Sequence, residues 1–332
     1  MDLDAYVAEH AAEWRRLEQL SGRRRLGAAE VDELVALYQR AATHLSVVRS
    51  RSPDPALVAR LSRLVLAARG AVTGGTAFSW RRSIARFFVV TFPLAVYRAW
   101  PWWCGVAVGF SAVSFGLMAY IAANPEVALL FMSEDEFESL VNHDFAAYYS
   151  EFQPQNFSFH VWANNAFLTA QCLAAGVLIL PVIYLLWNNA LNVGIVGGAM
   201  ISAGRGDVFF SLIMPHGLLE LTCVYVGAGV GLRIGWAWIA PGPNRTRGRA
   251  LAETAREGMV VALGLVAVLA VSGVLEGFVT PAPFPAVVRV GFGALIWILF
   301  FVYVVVLGRR AQAAGQRADL EESLSEAAVP TV

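Results

Sequence analysis

The apolar segment from Ile213 to Gly235 is long enough to cross a membrane, yet it carries a histidine and a carboxylate. About 20 helical residues that rise about 1.5 Å each span the roughly 30 Å hydrocarbon core of a bilayer. His216 and Glu220 lie one helical turn apart, and ionisable groups inside a membrane usually face protein or water rather than lipid. We therefore predict that this segment is the buried central helix of a membrane bundle.

Two sets of glycines repeat at intervals of four residues in the apolar part of the chain. They are Gly194 and Gly198, and then Gly227, Gly231 and Gly235. On a helix of about 100° per residue, positions four apart lie close to one line, and small residues at this spacing let another helix approach closely. We predict that both sets are helix-packing positions, the second one on the same face as Glu220.

The composition, with 57% hydrophobic residues in a chain of 332, is typical of a membrane protein. Together with the apolar segments, it predicts an all-α polytopic protein with about six transmembrane segments and a small N-terminal three-helix cytoplasmic unit. We expect this unit over residues 1–70, a hinge and interfacial amphipathic helix over 71–101, the transmembrane bundle over 102–308, and a cytoplasmic tail over 309–332. Acidic residues alternate with the arginines of the first unit, so we expect no nucleic-acid partner.

The segment from 124 to 160 is acidic and predicts the orientation of the protein in the membrane. It contains seven carboxylates and no arginine, whereas the N-terminal unit and the segment around Arg245 are rich in arginine. Positive residues favour the cytoplasmic side, so we predict that this loop is extracytoplasmic and that both termini are cytoplasmic. Its large share of apolar residues indicates short helices that lie on the membrane surface.

One apolar block runs from Val161 to about Ser202 and is too long for a single crossing. Asn188, Asn189 and Asn192 interrupt it, so we expect a hairpin of two spans that turns at these asparagines. Whether residues 189–203 cross the membrane fully is left open by the sequence.

Five polar residues can meet near the outer ends of their predicted spans. They are Asn164, Asn165, Gln171, His216 and Glu220. One interpretation is a hydrogen-bonded cluster that fixes helix packing. The others are a binding site for a lipid head group, a peptidoglycan precursor or a partner segment, and a catalytic pair with Glu220 as the base.

A metal is not predicted, because His216 and Glu220 supply only two ligands and zinc usually takes at least three from protein. The other external histidines, His143 and His160, lie on or beside a loop. We expect no cofactor. Glu276 and Arg289 flank the proline-rich turn that follows, and we predict an ion pair between them.

Several of these motifs together resemble the stage II sporulation protein M family. They are Asn164-Asn165, the asparagine- and glycine-rich stretch from Asn188 to Gly198, and Pro215-His216-Gly217-x-x-Glu220 followed by the three glycines. The N-terminal helical unit is similar to that of the longer members. The resemblance implies an integral membrane component that acts with partner proteins in remodelling the envelope.

Three functions follow as hypotheses. The first is a membrane scaffold or regulator of envelope enzymes in the bacterial inner membrane, as the resemblance implies. The second is a transporter or channel with a polar site at Asn164, Asn165, His216 and Glu220. The third is an intramembrane hydrolase that uses His216 and Glu220. We also expect a homo-oligomer, a dimer in the first instance, because two-fold symmetry is the commonest closed arrangement.

Overall fold

The computed structural model describes residues 3–23, 26–51, 54–72, 80–147 and 154–318. These residues form helices joined by turns, which confirms the predicted all-α class. The chain divides into two compact units, Met1–Ser83 and Ile84–Val332. The boundary falls inside the segment predicted as a hinge and interfacial helix.

The first unit is the predicted bundle of three helices. They are α1 (Leu3–Ser21), α2 (Ala28–Arg51) and α3 (Pro55–Val72). Trp14, Leu34 and Leu61 contribute one fully buried side chain from each helix to a shared apolar core. The Asp54 carboxylate accepts a hydrogen bond of 2.7 Å from the backbone N–H of Leu57 and so caps the start of α3. This unit therefore has a core of its own.

A helix in three parts begins just before the boundary between the units and continues into the second unit. These are α4 (Trp80–Arg86), a π-helical turn (Phe87–Thr91) and α5 (Phe92–Arg98). Phe92 and Leu94 are buried in the core of the membrane bundle. Glycines provide the space, because Phe92 packs on Gly264 and Tyr97 packs on Gly308.

The remaining helices follow in chain order. They are α6 (Trp100–Ala123), α7 (Glu134–Ser139), α8 (Phe145–Ala147), α9 (Pro154–Ala174), α10 (Leu180–Ser202), α11 (Gly206–Ile239), α12 (Arg247–Val274) and α13 (Ala286–Ala313). Helix α11 packs against α6, α9, α10, α12 and α13. The segment from Ile213 to Gly235 is therefore part of the central helix, as predicted.

Five helices in the described part of the chain are long and apolar enough to span a membrane: α6, α10, α11, α12 and α13. The sequence predicts about six segments, and α9 accounts for the difference. This helix has 21 residues, but polar residues such as Asn164, Asn165 and Gln171 lower its hydropathy. It nevertheless packs against α11 and α12 inside the bundle.

The turn of the predicted hairpin lies elsewhere than expected. A short 3₁₀ segment, Ala175–Leu178, and a left-handed residue, Ile179 (φ 60°), separate α9 from α10. Helix α10 then continues without a break through the asparagines. The amides of Asn188 and Asn189 donate to the carbonyls four residues earlier, at 2.8 and 2.9 Å, so these polar side chains are satisfied within their own helix. The prediction of a turn at this position is wrong.

The described part of the acidic loop is helical, as predicted. A 3₁₀ segment, Pro125–Leu130, is followed by α7, a π-helical turn and α8. Ser133 and Glu136 form a reciprocal capping box at the start of α7. Phe145 stacks on Phe209 of α11 with ring centroids 5.5 Å apart. The loop is therefore anchored to the bundle.

Candidate functional site

Helices α11 and α12 lie side by side and face each other with polar residues spaced by one helical turn. Helix α11 contributes His216 and Glu220, α12 contributes Ser272, and the π-helical turn after α12 and its C-cap contribute Glu276 and Thr280. Residues four apart lie on the same face of a helix, so each set forms a stripe. The end of α12 widens into a π-helical turn, Leu275–Val279, and such turns are frequent at functional sites.

The imidazole of His216 is buried, with 5% of the residue exposed, and contacts α12 at both ring nitrogens. Its Nδ1 lies 3.1 Å from the Thr280 hydroxyl. Its Nε2 lies 3.7 Å from Oε1 of Glu276. The ring therefore bridges two residues that are one turn apart on the neighbouring helix.

The Thr280 hydroxyl lies within hydrogen-bond distance of two groups, the carbonyl of Leu275 at 3.3 Å and Nδ1 of His216 at 3.1 Å. When it donates to Leu275, its oxygen can accept from Nδ1–H of His216. In that tautomer of the neutral imidazole the Nε2 lone pair faces Glu276.

The carboxylate of Glu220 is half-buried and is held by side chains from two other helices. The Asn165 amide of α9 and the Ser272 hydroxyl of α12 hydrogen-bond to it. Ser272 also contacts the backbone carbonyl of His216 at 3.1 Å. Glu220 thus joins α9, α11 and α12 through polar contacts.

Glu276 is more deeply buried than Glu220, with 3% of the residue exposed. Its Oε2 has no hydrogen-bond partner among the residues that the structure describes. One ligand atom from each of His216, Glu220 and Glu276 can be chosen so that all three lie within 4.8 Å of one another. This histidine and these two glutamates therefore form a convergent donor set inside the bundle.

The predicted Glu276–Arg289 ion pair is not formed within the described part of the chain. Arg289 instead donates to the backbone carbonyl of Thr280, while Glu276 faces His216. The π-helical turn that contains Glu276 is packed against α11, which explains why its carboxylate meets the histidine. Arg289 and His216 consequently bind two different groups of the same residue, Thr280.

The other predicted members of the cluster are distributed over α9. Asn165 reaches Glu220, whereas Asn164 is exposed and Gln171 is half-buried. No hydrogen bond of either side chain appears within the described ranges. Asn164 and Gln171 are seven residues apart and share one helical face. The side chain of His160 lies outside the described residues, and His143 is exposed in the acidic loop.

The predicted packing glycines lie at close helix contacts. A methyl group on Gly227, Gly231 or Gly235 would meet Thr169, the Cys172 carbonyl or the Gly176 carbonyl respectively. This glycine face of α11 therefore packs against α9 and the 3₁₀ segment that follows it. Gly194 and Gly198 of α10 pack instead on α6, against Leu117 and Ile121.

Sequence reasoning missed Glu276 as a neighbour of His216. The signal is present in the spacing of Ser272, Glu276 and Thr280, which places three polar side chains on one face of an otherwise apolar helix. Recognising that they face His216 needs the packing of α11 on α12, which residue spacing does not reveal.

Two family models match the chain. The model for stage II sporulation protein M matches residues 103–281, which is more than half of the chain and includes the donor set. The chain belongs to the stage II sporulation protein M family. A second model, a domain of unknown function (DUF8413), matches residues 4–74, which coincide with the three-helix unit.

No curated protein and no solved structure matches the chain. Membership of the stage II sporulation protein M family and the five apolar helices make it a membrane protein of a sporulation family.

Proposed function

We propose that this stage II sporulation protein M family member is an integral membrane scaffold or regulator that acts with partner proteins in remodelling the cell envelope. The observation that carries the proposal is the division into two units: a helical unit with its own core and a membrane bundle of the sporulation family. A chain that joins such units is suited to connecting partners in the cytoplasm with partners in the envelope. We place it in the bacterial inner membrane with both termini cytoplasmic, because the acidic loop and the arginines segregate accordingly.

Cross-linking in native membranes, followed by affinity capture and mass spectrometry, tests this proposal. We expect the full chain to enrich envelope enzymes over an unrelated polytopic protein of similar length. A chain that lacks residues 1–83 keeps the membrane unit and is the matched control for partners of the first unit. If the full chain captures no envelope protein above the unrelated control, the scaffold role is wrong.

The intramembrane hydrolase is the second candidate, and one observation favours it. The sequence offers it only His216 and Glu220, whereas the structure adds Glu276 at 3.7 Å from the histidine. A third ligand is what a hydrolytic metal site would need. Loss of substrate cleavage in a well-folded Glu276→Gln variant would support this candidate over the scaffold.

The structure supports a transporter or channel less than it supports the hydrolase. A cavity of about 430 Å³ lies between α6, α10 and α11. It is lined by apolar side chains, including those of Trp102, Phe110 and Trp187. Such a lining is suited to an acyl chain rather than to an ion.

A further inference from the structure

We propose that His216, Glu220 and Glu276 bind a divalent transition-metal ion of the Zn²⁺ class between α11 and α12. This inference does not depend on the scaffold role. Three arguments carry it: the convergence of the three donors, the orientation of the imidazole, and the buried carboxylate oxygen of Glu276 that has no described partner.

The donors converge from helix α11 and from the π-helical turn at the end of α12, which pack against each other. All three ligand atoms lie within 4.8 Å of one another, and the His216–Glu276 pair is 3.7 Å apart. Ligands bound to zinc at about 2.0–2.1 Å in a tetrahedron are roughly 3.3 Å apart. Small side-chain rotations therefore bring this pair to coordination geometry.

The imidazole is oriented as in a metal ligand. Metal-bound histidines usually donate the N–H of the second ring nitrogen to a fixed acceptor, which selects the tautomer and directs the free lone pair at the ion. Here Nδ1 of His216 lies 3.1 Å from the Thr280 hydroxyl, which can accept the Nδ1 proton while donating its own to Leu275. Nε2 faces the carboxylate of Glu276.

The two carboxyl groups of the donor set favour a bound cation. Glu276 is 3% exposed, and its Oε2 has no hydrogen-bond partner in the described residues. A charged carboxylate inside a membrane is costly, and the cost is removed either by a bound proton or by a bound cation. The described Arg289 binds the Thr280 carbonyl, so a cation among the three donors would satisfy both carboxylates directly.

The donor types select the class of ion. One imidazole nitrogen and two carboxylate oxygens suit zinc and its borderline neighbours better than calcium or magnesium, which prefer oxygen donors alone. Three protein ligands leave a fourth tetrahedral position for water, as in catalytic rather than structural zinc sites.

Zinc binding to the full chain in detergent tests the proposal. The protein is purified without a polyhistidine tag, stripped with a chelator, dialysed against Zn²⁺ and analysed by elemental mass spectrometry. His10, Glu13 and His44 form a second potential group in the first unit, so every sample carries His10→Gln. We expect one zinc per chain in this background, and loss of that zinc in Glu276→Gln and in His216→Gln.

The matched control is Glu257→Gln, because Glu257 lies on the same helix but pairs with Arg233 at 2.8 Å. It should retain zinc. Thr280→Val keeps all three ligands and removes only the hydroxyl that orients His216, so its zinc affinity should fall by about 10- to 100-fold.

Equal zinc binding by the background and by Glu276→Gln would overturn the assignment. So would the absence of stoichiometric zinc from the background protein. If the ligand variants fail to fold, the visible absorption of the background protein loaded with Co²⁺ decides instead. A tetrahedral spectrum supports the site, and a spectrum of hydrated Co²⁺ overturns it.

Discussion

At the scale of single residues, two substitutions of Glu220 distinguish a role in hydrogen bonding from a role in chemistry. In metal-free buffer we expect Glu220→Gln to unfold with nearly the same free energy as the wild type, because an amide can still bond to Asn165 and Ser272. Glu220→Leu leaves these two partners unpaired and should lower the free energy of unfolding by about 1–3 kcal/mol. Titration with a denaturing detergent in mixed micelles measures both values.

Equal stability of Glu220→Gln and Glu220→Leu would contradict a structural role for Glu220. If both remain folded and both lose zinc, the carboxylate acts as a ligand as well as a packing contact. Glu257→Gln again serves as the control, because its partner Arg233 is on α11 but away from the donor set.

His44 gives the first unit a dependence on pH. The indole N–H of Trp14 donates to Nδ1 of His44 at 3.2 Å, and the ring of His10 stacks on that of His44 with centroids 4.0 Å apart. Burial, followed by the proximity of His10, lowers the pKa of His44 below its ordinary value of 6.5. Protonation would also remove the acceptor that Trp14 uses.

Proton linkage gives the direction in which stability changes with pH. Below pH 6.5 the unfolded chain binds more protons at His44 than the folded chain does, so stability is complete above that pH and falls as the pH drops towards the folded-state pKa. We expect amide protection of α1 and α2 in the full chain, corrected for intrinsic exchange, to decrease between pH 7.5 and 5.5. His44→Gln should flatten this dependence, and an unchanged slope in that variant would assign it to another group.

The residues of the candidate site were only partly predictable. His216 and Glu220 stand out because charges inside an apolar helix are rare. Glu276 stands out equally, but its partner was predicted from the nearest opposite charge in sequence, Arg289. The structure pairs it across 60 residues with His216, because the packing of two helices, and not sequence proximity, decides which polar stripes meet.

At the scale of helices, the glycines of α11 set how closely α9 can approach. A methyl group at Gly231 would overlap the carbonyl of Cys172. Backbone on both sides leaves little room to adjust, so we expect Gly231→Ala to destabilise the protein by about 1–3 kcal/mol. The same titration in mixed micelles measures this loss.

Gly116→Ala on α6 is the matched control, because no atom lies within 4 Å of the added methyl group. It should change the free energy of unfolding by no more than about 1 kcal/mol. Equal effects of the two substitutions would mean that helix propensity rather than close packing explains the glycine at 231.

Most of the helices follow from apolar length alone, as α11, α12 and α13 illustrate. The turn between α9 and α10 does not follow from the sequence in this way. Asn188 and Asn189 are residues that often interrupt an apolar helix, but here they donate to carbonyls within α10. An asparagine satisfied in this way can continue a helix. The actual turn, at Ala175–Leu178 and Ile179, contains no residue that usually marks a turn apart from one glycine.

At the scale of the whole molecule, we expect the acidic loop to lie outside the cytoplasm and the first unit to lie inside. We expect Glu138→Cys to react with an impermeant maleimide on intact cells and Glu18→Cys to react only after permeabilisation, since carboxylates gather in the loop and arginines in the first unit. Both positions are exposed, and Cys104 is replaced by serine in both variants. Glu138 is preferable to Ser133, whose hydroxyl caps α7. The reverse labelling pattern would invert the topology.

The last prediction concerns assembly. The glycines of α10 pack on α6 within one chain, so they do not require a neighbouring subunit. Asn164 gives a different reason for a dimer, because it is exposed at the middle of α9. An exposed amide on a helix in the membrane is a strong candidate for bonding to the same residue of a second copy across a two-fold axis.

We therefore expect a native mass of two 35.9 kDa chains in mild detergent, and a shift towards single chains in Asn164→Leu. Asn188→Leu is the control, since the Asn188 amide is also exposed but already donates to the carbonyl of Tyr184 at 2.8 Å, and it should leave the mass unchanged. A single-chain mass for the wild type at every dilution rules out the dimer. A stable dimer that survives Asn164→Leu keeps the two-fold assembly but moves its interface away from α9.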